Sequence, residues 1–246
     1  MRCDILTLFP DMVEAVVGAS ILGKARARGL LDVRAVNLRE YAEGRHKVAD
    51  DAPYGGGAGM VLKPDPIFRA VDDLRARHGD LRLVMMSPQG RIFTQAVAEE
   101  LSVEPRRVLL LCGHYEGIDE RVRQGLAPEE LSVGEYILTG GELAALIVVD
   151  AVARLVPGVL GDEQSPKEES FAGSLLEYPQ YTRPPVFRGL EVPDILRSGN
   201  HQAIRDWRRT QSLRTTYAKR PDLLEQAELT PEDRRVVNTL REERLS

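Results

Sequence analysis

The chain has 246 residues, enough for one large domain or two smaller ones, and its 43% hydrophobic content is enough for a globular core. Its formal net charge of −5 excludes attraction of the whole molecule to a polyanion, so any nucleic-acid surface must come from local clusters of Lys and Arg. The only cysteines are Cys3 and Cys112, which argues against a disulfide framework and fits a reducing compartment, so we expect a cytoplasmic location.

The amino-terminal sequence MRCDILTLFPDM does not have the layout of a signal peptide. The longest apolar run, residues 143–149, is far too short to span a bilayer. We therefore expect no membrane partner.

Strands and helices are predicted to alternate over the first 156 residues. Short apolar runs predict strands, and apolar residues at helical spacing predict helices. The predicted strands are residues 3–9, 31–38, 81–86 and 108–112, and the predicted helices are 20–29, 64–78, 94–101, 118–125 and 141–156. Because the strands are apolar on both faces, we predict an α/β fold, with a mostly parallel sheet and helices on both faces.

Three loops, residues 87–91, 113–117 and 132–141, follow apolar segments and are candidates for a ligand site. In a parallel sheet, ligands bind beyond the carboxyl ends of the strands. The second and third loops each combine glycines with a tyrosine and a glutamate. Glycine lets the backbone approach a flat ligand closely, so we interpret these two loops as a binding site rather than as ordinary turns.

The segment 43–59, EGRHKVADDAPYGGGAG, has no periodicity and is predicted to be a long functional loop. It is not a phosphate-binding loop of the Walker type, because no Lys-Ser or Lys-Thr follows its glycines. A Rossmann-type methyltransferase is also excluded, since Pro10-Asp11 stands where a Gly-x-Gly turn would follow the first strand.

The last third of the chain differs in composition. Residues 162–170, DEQSPKEES, are polar and aperiodic and predict a linker, and from Phe171 the composition is helical. Residues 197–220 contain seven basic side chains and one acidic side chain, about six net positive charges. Such a one-signed excess favours contacts to phosphates over an ordinary solvated surface.

Several motifs resemble those of the bacterial tRNA (guanine-N1)-methyltransferases, which belong to the SPOUT class. They include CGHYEGIDERV, SVGEYILTGGE and RHKVADDAPYGGGAGM, and the resemblance covers essentially the whole chain. It implies S-adenosyl-L-methionine as cofactor, a C-terminal trefoil knot in the α/β domain, and a homodimer with an active site shared between subunits. The reaction it implies is methylation of N1 of the guanosine immediately 3′ of the anticodon in tRNA, with the anticodon stem-loop as partner.

The resemblance also implies a domain division and a set of cofactor-binding residues. The expected domains are a knotted cofactor-binding domain (1–160), a flexible linker (161–172) and a small helical tRNA-binding domain (173–246). Glu135 departs from the family, which usually has aspartate before the tyrosine. The expected cofactor-binding residues are Met86, Ser87, Pro88, Gly113, Tyr115, Glu116, Gly117, Ser132, Val133, Gly134, Glu135, Tyr136, Ile137, Leu138, Gly140 and Gly141.

Two catalytic residues are expected from the family pattern. Arg154 would stabilise charge on guanine O6; the sequence alone slightly favours an ion pair with Asp150, four residues earlier, and the resemblance reverses that preference. Glu169 stands where the family has an aspartate acting as general base, and the adjacent Glu168 is an alternative. The expected RNA-binding residues are Arg45, His46, Asp50, Arg183, His201, Arg205, Arg208 and Arg209, and we expect no protein-bound metal.

Two other functions stay open. Another SPOUT enzyme, acting on the ribose 2′-hydroxyl, would need no base and O6 donor around a purine edge. A non-catalytic RNA-binding protein could keep S-adenosylmethionine as a structural ligand.

Overall fold

The computed structural model describes residues 1–161 and 169–245. The chain divides into two compact units, Met1–Gly161 and Asp162–Ser246. Most of the predicted linker, including Glu168, lies outside the described residues.

The first unit contains seven strands and six α-helices within residues 1–161. A 3₁₀ turn at Leu38–Tyr41 follows the second strand. In chain order the elements are β1 (Arg2–Thr7), α1 (Pro10–Val17), α2 (Ser20–Ala27), β2 (Asp32–Asn37), β3 (Asp50–Asp51), β4 (Val61–Leu62), α3 (Pro64–His78), β5 (Leu81–Ile92), α4 (Gln95–Ser102), β6 (Arg107–Cys112), α5 (Glu120–Leu126), β7 (Glu129–Ser132) and α6 (Glu142–Ala153).

Five of these strands form one sheet in the order β2-β1-β6-β5-β7, and all four pairings are parallel. The central strand β6 shows how the sheet is covered. Val108, Leu110 and Cys112 pack into the apolar cluster on one side, whereas Leu109 and Leu111 pack into the cluster on the other. Because side chains alternate along a strand, an unbroken apolar run is buried on both faces. The predicted mostly parallel α/β sheet is therefore confirmed.

Strand β5 is longer than the sequence indicated. Its pairing with β7 covers Val84 to Met86, shifts in register, and resumes at Arg91 and Ile92. The predicted loop at residues 87–91 is thus an irregular stretch inside the strand rather than a connection after it.

Strand β7 was not predicted, because it begins with two acidic residues. Glu129 accepts a hydrogen bond from Arg82 Nε at 3.1 Å, and Glu130 accepts one from Arg123 Nε at 3.2 Å. These ion pairs let a polar sequence form an edge strand, and the apolar pattern used to find strands does not detect it.

The second unit contains a small hairpin and three α-helices within its described residues. Its elements are β8 (Val186–Phe187), β9 (Leu190–Glu191), α7 (His201–Lys219), α8 (Pro221–Leu224) and α9 (Pro231–Leu245), with 3₁₀ turns at Ala172–Ser174 and Asp194–Arg197. Asn200 caps α7 by accepting a hydrogen bond from the Ala203 backbone N–H at 3.2 Å.

The prediction that the chain is helical from Phe171 onward is wrong for the residues before His201. Pro179, Pro184, Pro185 and Pro193 fall in this stretch, and proline removes the backbone donor that a helix interior needs. The trefoil knot expected in the first unit and the tRNA-binding role expected of the second unit stay predictions. None of the helices in the described ranges has both the length and the apolar character needed to cross a membrane.

A buried ion pair joins β1 to β6. Arg107 Nη1 donates to Asp4 Oδ1 at 2.8 Å, and the same guanidinium contacts Asp32 on β2. Asp4 is 2% exposed and Arg107 is 6% exposed. Burial raises the pKa of Asp4, and the Arg107 charge only partly opposes that rise. Arg107 is therefore the main charge partner that keeps this carboxylate ionised inside the fold, and His78 Nε2 lies farther away, 3.9 Å from Asp4 Oδ2.

Replacing Arg107 should destabilise the protein far more than replacing its neighbour. We expect Arg107→Met to lower the free energy of unfolding by about 3 kcal/mol, because it leaves a buried carboxylate unpaired. Arg106→Met removes a half-exposed arginine and leaves Glu104 paired with Arg82 at 3.3 Å, so it should cost less than about 1 kcal/mol. Urea unfolding of both variants at neutral pH measures the difference, and equal losses would contradict the prediction.

The Arg107→Met loss should also depend on pH. Because burial raises the pKa of Asp4, the folded state holds this proton more strongly than the unfolded chain does. The contribution of Asp4 to stability therefore falls as pH rises from the pKa of Asp4 in the unfolded chain, about 4, through its pKa in the folded protein. Urea titrations should show part of the Arg107→Met loss recovered near pH 4.

Candidate functional site

The carboxyl ends of β6, β5 and β7 lie side by side, because these three strands are adjacent and parallel. Loop 113–117 follows β6, residues 87–90 interrupt β5, and loop 132–141 leaves β7. The sheet therefore brings together the three segments that the sequence marked as candidates.

A cavity of about 360 Å³ lies between these segments. Its size falls within the range of small-molecule sites. Every residue predicted to bind cofactor lines it except Glu135, although their role in binding stays a prediction. The additional lining residues, which were not among the expected cofactor-binding residues, are Met85, Gln89, His114, Ile118, Arg123, Leu131, Thr139 and Ala144; of these, Gln89, His114 and Thr139 belong to the three predicted loops.

The two glycine-rich loops cross with their backbones in contact. Gly141 N–H donates to the Gly113 carbonyl at 2.8 Å, and His114 and Gly140 form an antiparallel bridge. A Cβ atom on Gly141 would lie 2.8 Å from the Cα of Cys112, closer than real side chains come. The crossing therefore requires glycine, which explains the Gly-Gly pair in the sequence.

A buried polar group lies directly beneath this crossing. Thr7 Oγ1 donates to Glu142 Oε1 at 2.7 Å, and His114 Nδ1 lies 3.8 Å from Glu142 Oε2. Glu142 is only 3% exposed and begins α6, where the helix dipole favours a negative charge. This group ties both loops to the end of β1. Its signal in the sequence was an acidic residue directly after Gly-Gly.

Two tyrosines lie at the mouth of the cavity. Tyr115 has a φ of 57°, a left-handed conformation that is uncommon for a residue with a side chain and recurs at functional sites. Tyr136 donates its hydroxyl to the Val133 carbonyl at 3.2 Å. Both rings are about half-exposed, so they offer flat apolar faces to a ligand.

The long loop 43–59 reaches the cavity through Glu116. Glu116 N–H donates to the Met60 carbonyl at 3.0 Å, and a Cβ on Gly59 would collide with the Glu116 carboxylate. Earlier in the loop, Arg45 and His46 are exposed and Asp50 is partly buried. The residues predicted to face RNA thus belong to a loop whose end contacts the cavity.

In the second unit the predicted RNA-binding residues do not share one environment. Arg183, His201 and Arg205 are exposed, whereas Arg208 lies with its guanidinium carbon 4.7 Å from the centre of the Tyr178 ring. Arg209 donates to both carboxylate oxygens of Asp233, at 3.1 and 2.8 Å.

The Arg209 pair supports the packing of α7 against α9. Burial by itself would raise the pKa of Asp233, but hydrogen bonds from Arg209 and Thr230 outweigh it and hold the pKa below its ordinary value. The charge of Arg209 is therefore largely neutralised inside this unit.

The expected catalytic residues lie in different units. Arg154 is partly buried at the carboxyl end of α6, and Glu169 is partly buried at the start of the second described range. Cys112 is buried, and burial raises the pKa of its thiol well above the ordinary value, so it is no thiolate nucleophile at neutral pH.

Comparison with known proteins points to one family. Residues 1–226 match the family model described as tRNA (Guanine-1)-methyltransferase TrmD. A tRNA (guanine-N(1)-)-methyltransferase of Geobacillus kaustophilus is 56% identical over 99% of this chain and 100% of its own length. Enzymes of the same name from Halalkalibacterium halodurans and Moorella thermoacetica are each 53% identical, over 99% and 98% of this chain and 99% and 96% of their own lengths.

A side chain at the loop crossing should disrupt the cavity. We expect Gly141→Ala to lower the free energy of unfolding by about 1–3 kcal/mol, because the new Cβ presses on the backbone of Cys112. Gly161→Ala is the matched control, since a Cβ there meets no atom within 4 Å. Urea unfolding of both variants makes the comparison, and an undisturbed Gly141→Ala protein would show that the crossing tolerates a side chain.

Proposed function

The chain belongs to the tRNA (guanine-1)-methyltransferase family, and on that premise we propose that it methylates N1 of the guanosine immediately 3′ of the anticodon in tRNA, using S-adenosyl-L-methionine. It is a tRNA (guanine-N1)-methyltransferase. The methyl donor, the position in the tRNA and the residue roles are the proposed part.

The cavity between the glycine-rich loops carries the proposal. Its backbone-rich walls and two tyrosine rings fit a ligand with a flat base, and its volume of about 360 Å³ suits a nucleoside-sized molecule. Backbone N–H and C=O groups of loop 132–141 would read the edges of adenine. The carboxylate of Glu116 would lie near the methionine half, where the donor carries its positive sulfonium charge.

The chemistry requires a base and an oxyanion donor. When bound, S-adenosylmethionine supplies a methyl group that leaves without its bonding electrons, which stay on sulfur. Guanine N1 carries a proton, so the Glu169 carboxylate accepts that proton as the N1 electron pair forms the bond to the methyl carbon. Negative charge that moves onto O6 is stabilised by the Arg154 guanidinium.

The basic second unit supports binding of tRNA. Arg183 and Arg205 are exposed and would offer their charges to phosphates, and the exposed His201 would offer a hydrogen-bonding side chain. Reaching N1 also requires the guanosine to leave its stack, at a cost of a few kcal/mol that contacts of this kind would offset.

An exposed apolar surface supports the proposed homodimer. Met12 and Val16 on α1 and Leu143 and Ile147 on α6 are between 38% and 45% exposed, and the two helices pack against each other. Contiguous exposed apolar side chains of this kind mark interaction sites. In the proposed dimer, each active site uses residues of both subunits.

The catalytic assignment predicts that replacing Glu169 or Arg154 lowers the rate of methyl transfer and leaves the affinity for tRNA nearly unchanged. In single-turnover transfer of labelled methyl to tRNA transcripts, Glu169→Gln should lower the rate about 10²- to 10⁴-fold because the proton acceptor is lost. Arg154→Ala should lower it about 10²- to 10³-fold through loss of O6 stabilisation. Affinity for tRNA should change less than about threefold in both, since neither role is in binding.

Matched variants and substrates make this test specific. Glu168→Gln and the exposed Glu225→Gln should keep nearly full rates; a larger loss for Glu168→Gln would move the base to that residue. Transcripts with adenosine in place of the target guanosine should accept no methyl group. Methyl found on ribose would instead support a 2′-O-methyltransferase, and absence of transfer by the wild type would support a non-catalytic RNA-binding protein.

The dimer proposal predicts that monomers are inactive. Leu143→Glu with Ile147→Glu places two charges on the apolar surface and should give a folded monomer that has lost at least about 100-fold in methyl transfer. Val103→Glu, at a side chain 79% exposed on another part of the unit, should leave both dimer and rate intact. Sedimentation velocity and the transfer assay measure the two properties. A verified monomer with full activity would contradict the proposal.

A further inference from the structure

A second cavity, of about 540 Å³, lies wholly within the second unit. It is enclosed by the irregular segment before α7 and by the first turns of α7 itself. We call it the arginine cup, after the side chains that form its walls: Tyr178, Tyr181, Arg183, Arg197, Trp207 and Arg208. Among the residues that the structure describes, every charged side chain lining the cup is an arginine.

Aromatic rings supply the flat walls of the cup. Tyr181 and Trp207 have ring centres 6.4 Å apart and planes inclined at 56°, and both rings line the cup. Tyr181 is 48% exposed and Trp207 is partly buried, so the indole is held in place while the rings stay accessible. A nucleobase can stack on such a face whatever its identity, because every base has a π-face.

The arginines give the cup its chemical preference. The guanidinium carbon of Arg208 lies 4.7 Å from the centre of the Tyr178 ring, a cation–π contact that orients the guanidinium at the wall of the cup. Arg183 is exposed, and among the described residues the ion pair of Arg197 is with the solvent-exposed Asp194, at 3.5 Å. A phosphate could displace that weak exposed contact readily, since exposed ion pairs contribute little. Planar guanidinium groups beside aromatic rings match a ligand that is both anionic and flat.

We propose that the arginine cup binds one unstacked nucleotide of the tRNA, with its base on Trp207 and Tyr181 and its phosphate between Arg183 and Arg197. This inference rests on the proposed function in that the RNA is tRNA, and it adds a recognition site distinct from the methylated guanosine. A phosphorylated or acidic peptide would satisfy the arginines but would leave the ring faces without a flat partner. A nucleotide within RNA would contact the arginines through its phosphate and the ring faces through its base.

The protein carries its own probe for this site, because Trp207 is its only tryptophan. Titration of the full-length dimer with an unmodified tRNA transcript should change Trp207 fluorescence in a saturable way, with the midpoint at the Kd measured independently by filter binding. AMP and UMP alone should produce the same direction of change only at millimolar concentration. A fluorescence change by nucleotides at micromolar concentration without one by tRNA would overturn the proposal in favour of a free-nucleotide site.

Substitutions separate stacking from charge. Trp207→Ala should weaken tRNA binding about 5- to 100-fold, and Trp207→Phe, which keeps a ring, should stay within about threefold of wild type. Tyr181→Ala, at a more exposed ring, tests stacking without opening the core. Arg197→Ala should reduce the slope of log Kd against log salt by about 0.7, the value for one phosphate contact to a single strand.

Arg214→Ala is the control for charge. It removes an exposed arginine of α7 that does not line the cup. Losses in these variants should appear in Kd and KM for tRNA, with the single-turnover methyl-transfer rate at saturating tRNA unchanged. Unchanged affinity in both Trp207→Ala and Tyr181→Ala, or equal losses for Arg197→Ala and Arg214→Ala, would overturn the proposal. Failure of wild-type methyl transfer would instead count against the proposed function, because the fluorescence titration does not depend on catalysis.

Discussion

The backbone contact between Gly113 and Gly141 is the constraint on which the first unit depends. The two loops cross at a 2.8 Å hydrogen bond, which requires glycine at position 141, because a Cβ there would lie 2.8 Å from the Cα of Cys112. The crossing joins the end of β6 to the start of α6, and the Thr7–Glu142–His114 group reaches the cavity through His114, which lines it. Because the loops are tied to the sheet through buried groups, the cavity is largely pre-formed, and a ligand would meet little ordering cost there.

The two units differ in how their arginine side chains are paired. In the first unit the arginines near the sheet are occupied by carboxylates, as Arg107 is by Asp4 and Arg82 by Glu129. The glycine-lined cavity is built from glycine backbone, aliphatic side chains and two tyrosine rings, with Glu116 and Arg123 as its charged residues, which suits a ligand recognised by shape and by hydrogen bonds at its edges. In the second unit arginines line a cavity that contains no described carboxylate. A chain with a net charge of −5 can thus keep a local surface for a polyanion.

Not every basic residue of the second unit contributes to that surface. Arg209 is bound to Asp233, so its positive charge mainly stabilises the packing of α7 on α9. Arg197 and Arg183, which come from outside the basic helix, line the arginine cup instead. A count of charges along the sequence therefore overstates the role of one helical face and understates that of the irregular, proline-rich segment before it.

The sequence alone determined the alternation of elements, the parallel sheet and the two glycine-rich loops. These follow from local signals: the apolar run at 108–112 is buried on both faces, and the bounds Pro64–His78 follow from helical periodicity. Tertiary structure alone decided the rest. β7 forms because Arg82, 47 residues away, pairs with Glu129 and Arg123 of the preceding helix pairs with Glu130, and β5 continues through a register shift because β7 pairs with it twice. Glu142 and Thr7, 135 residues apart, meet only once the sheet has formed, and no periodicity records a contact between residues so far separated.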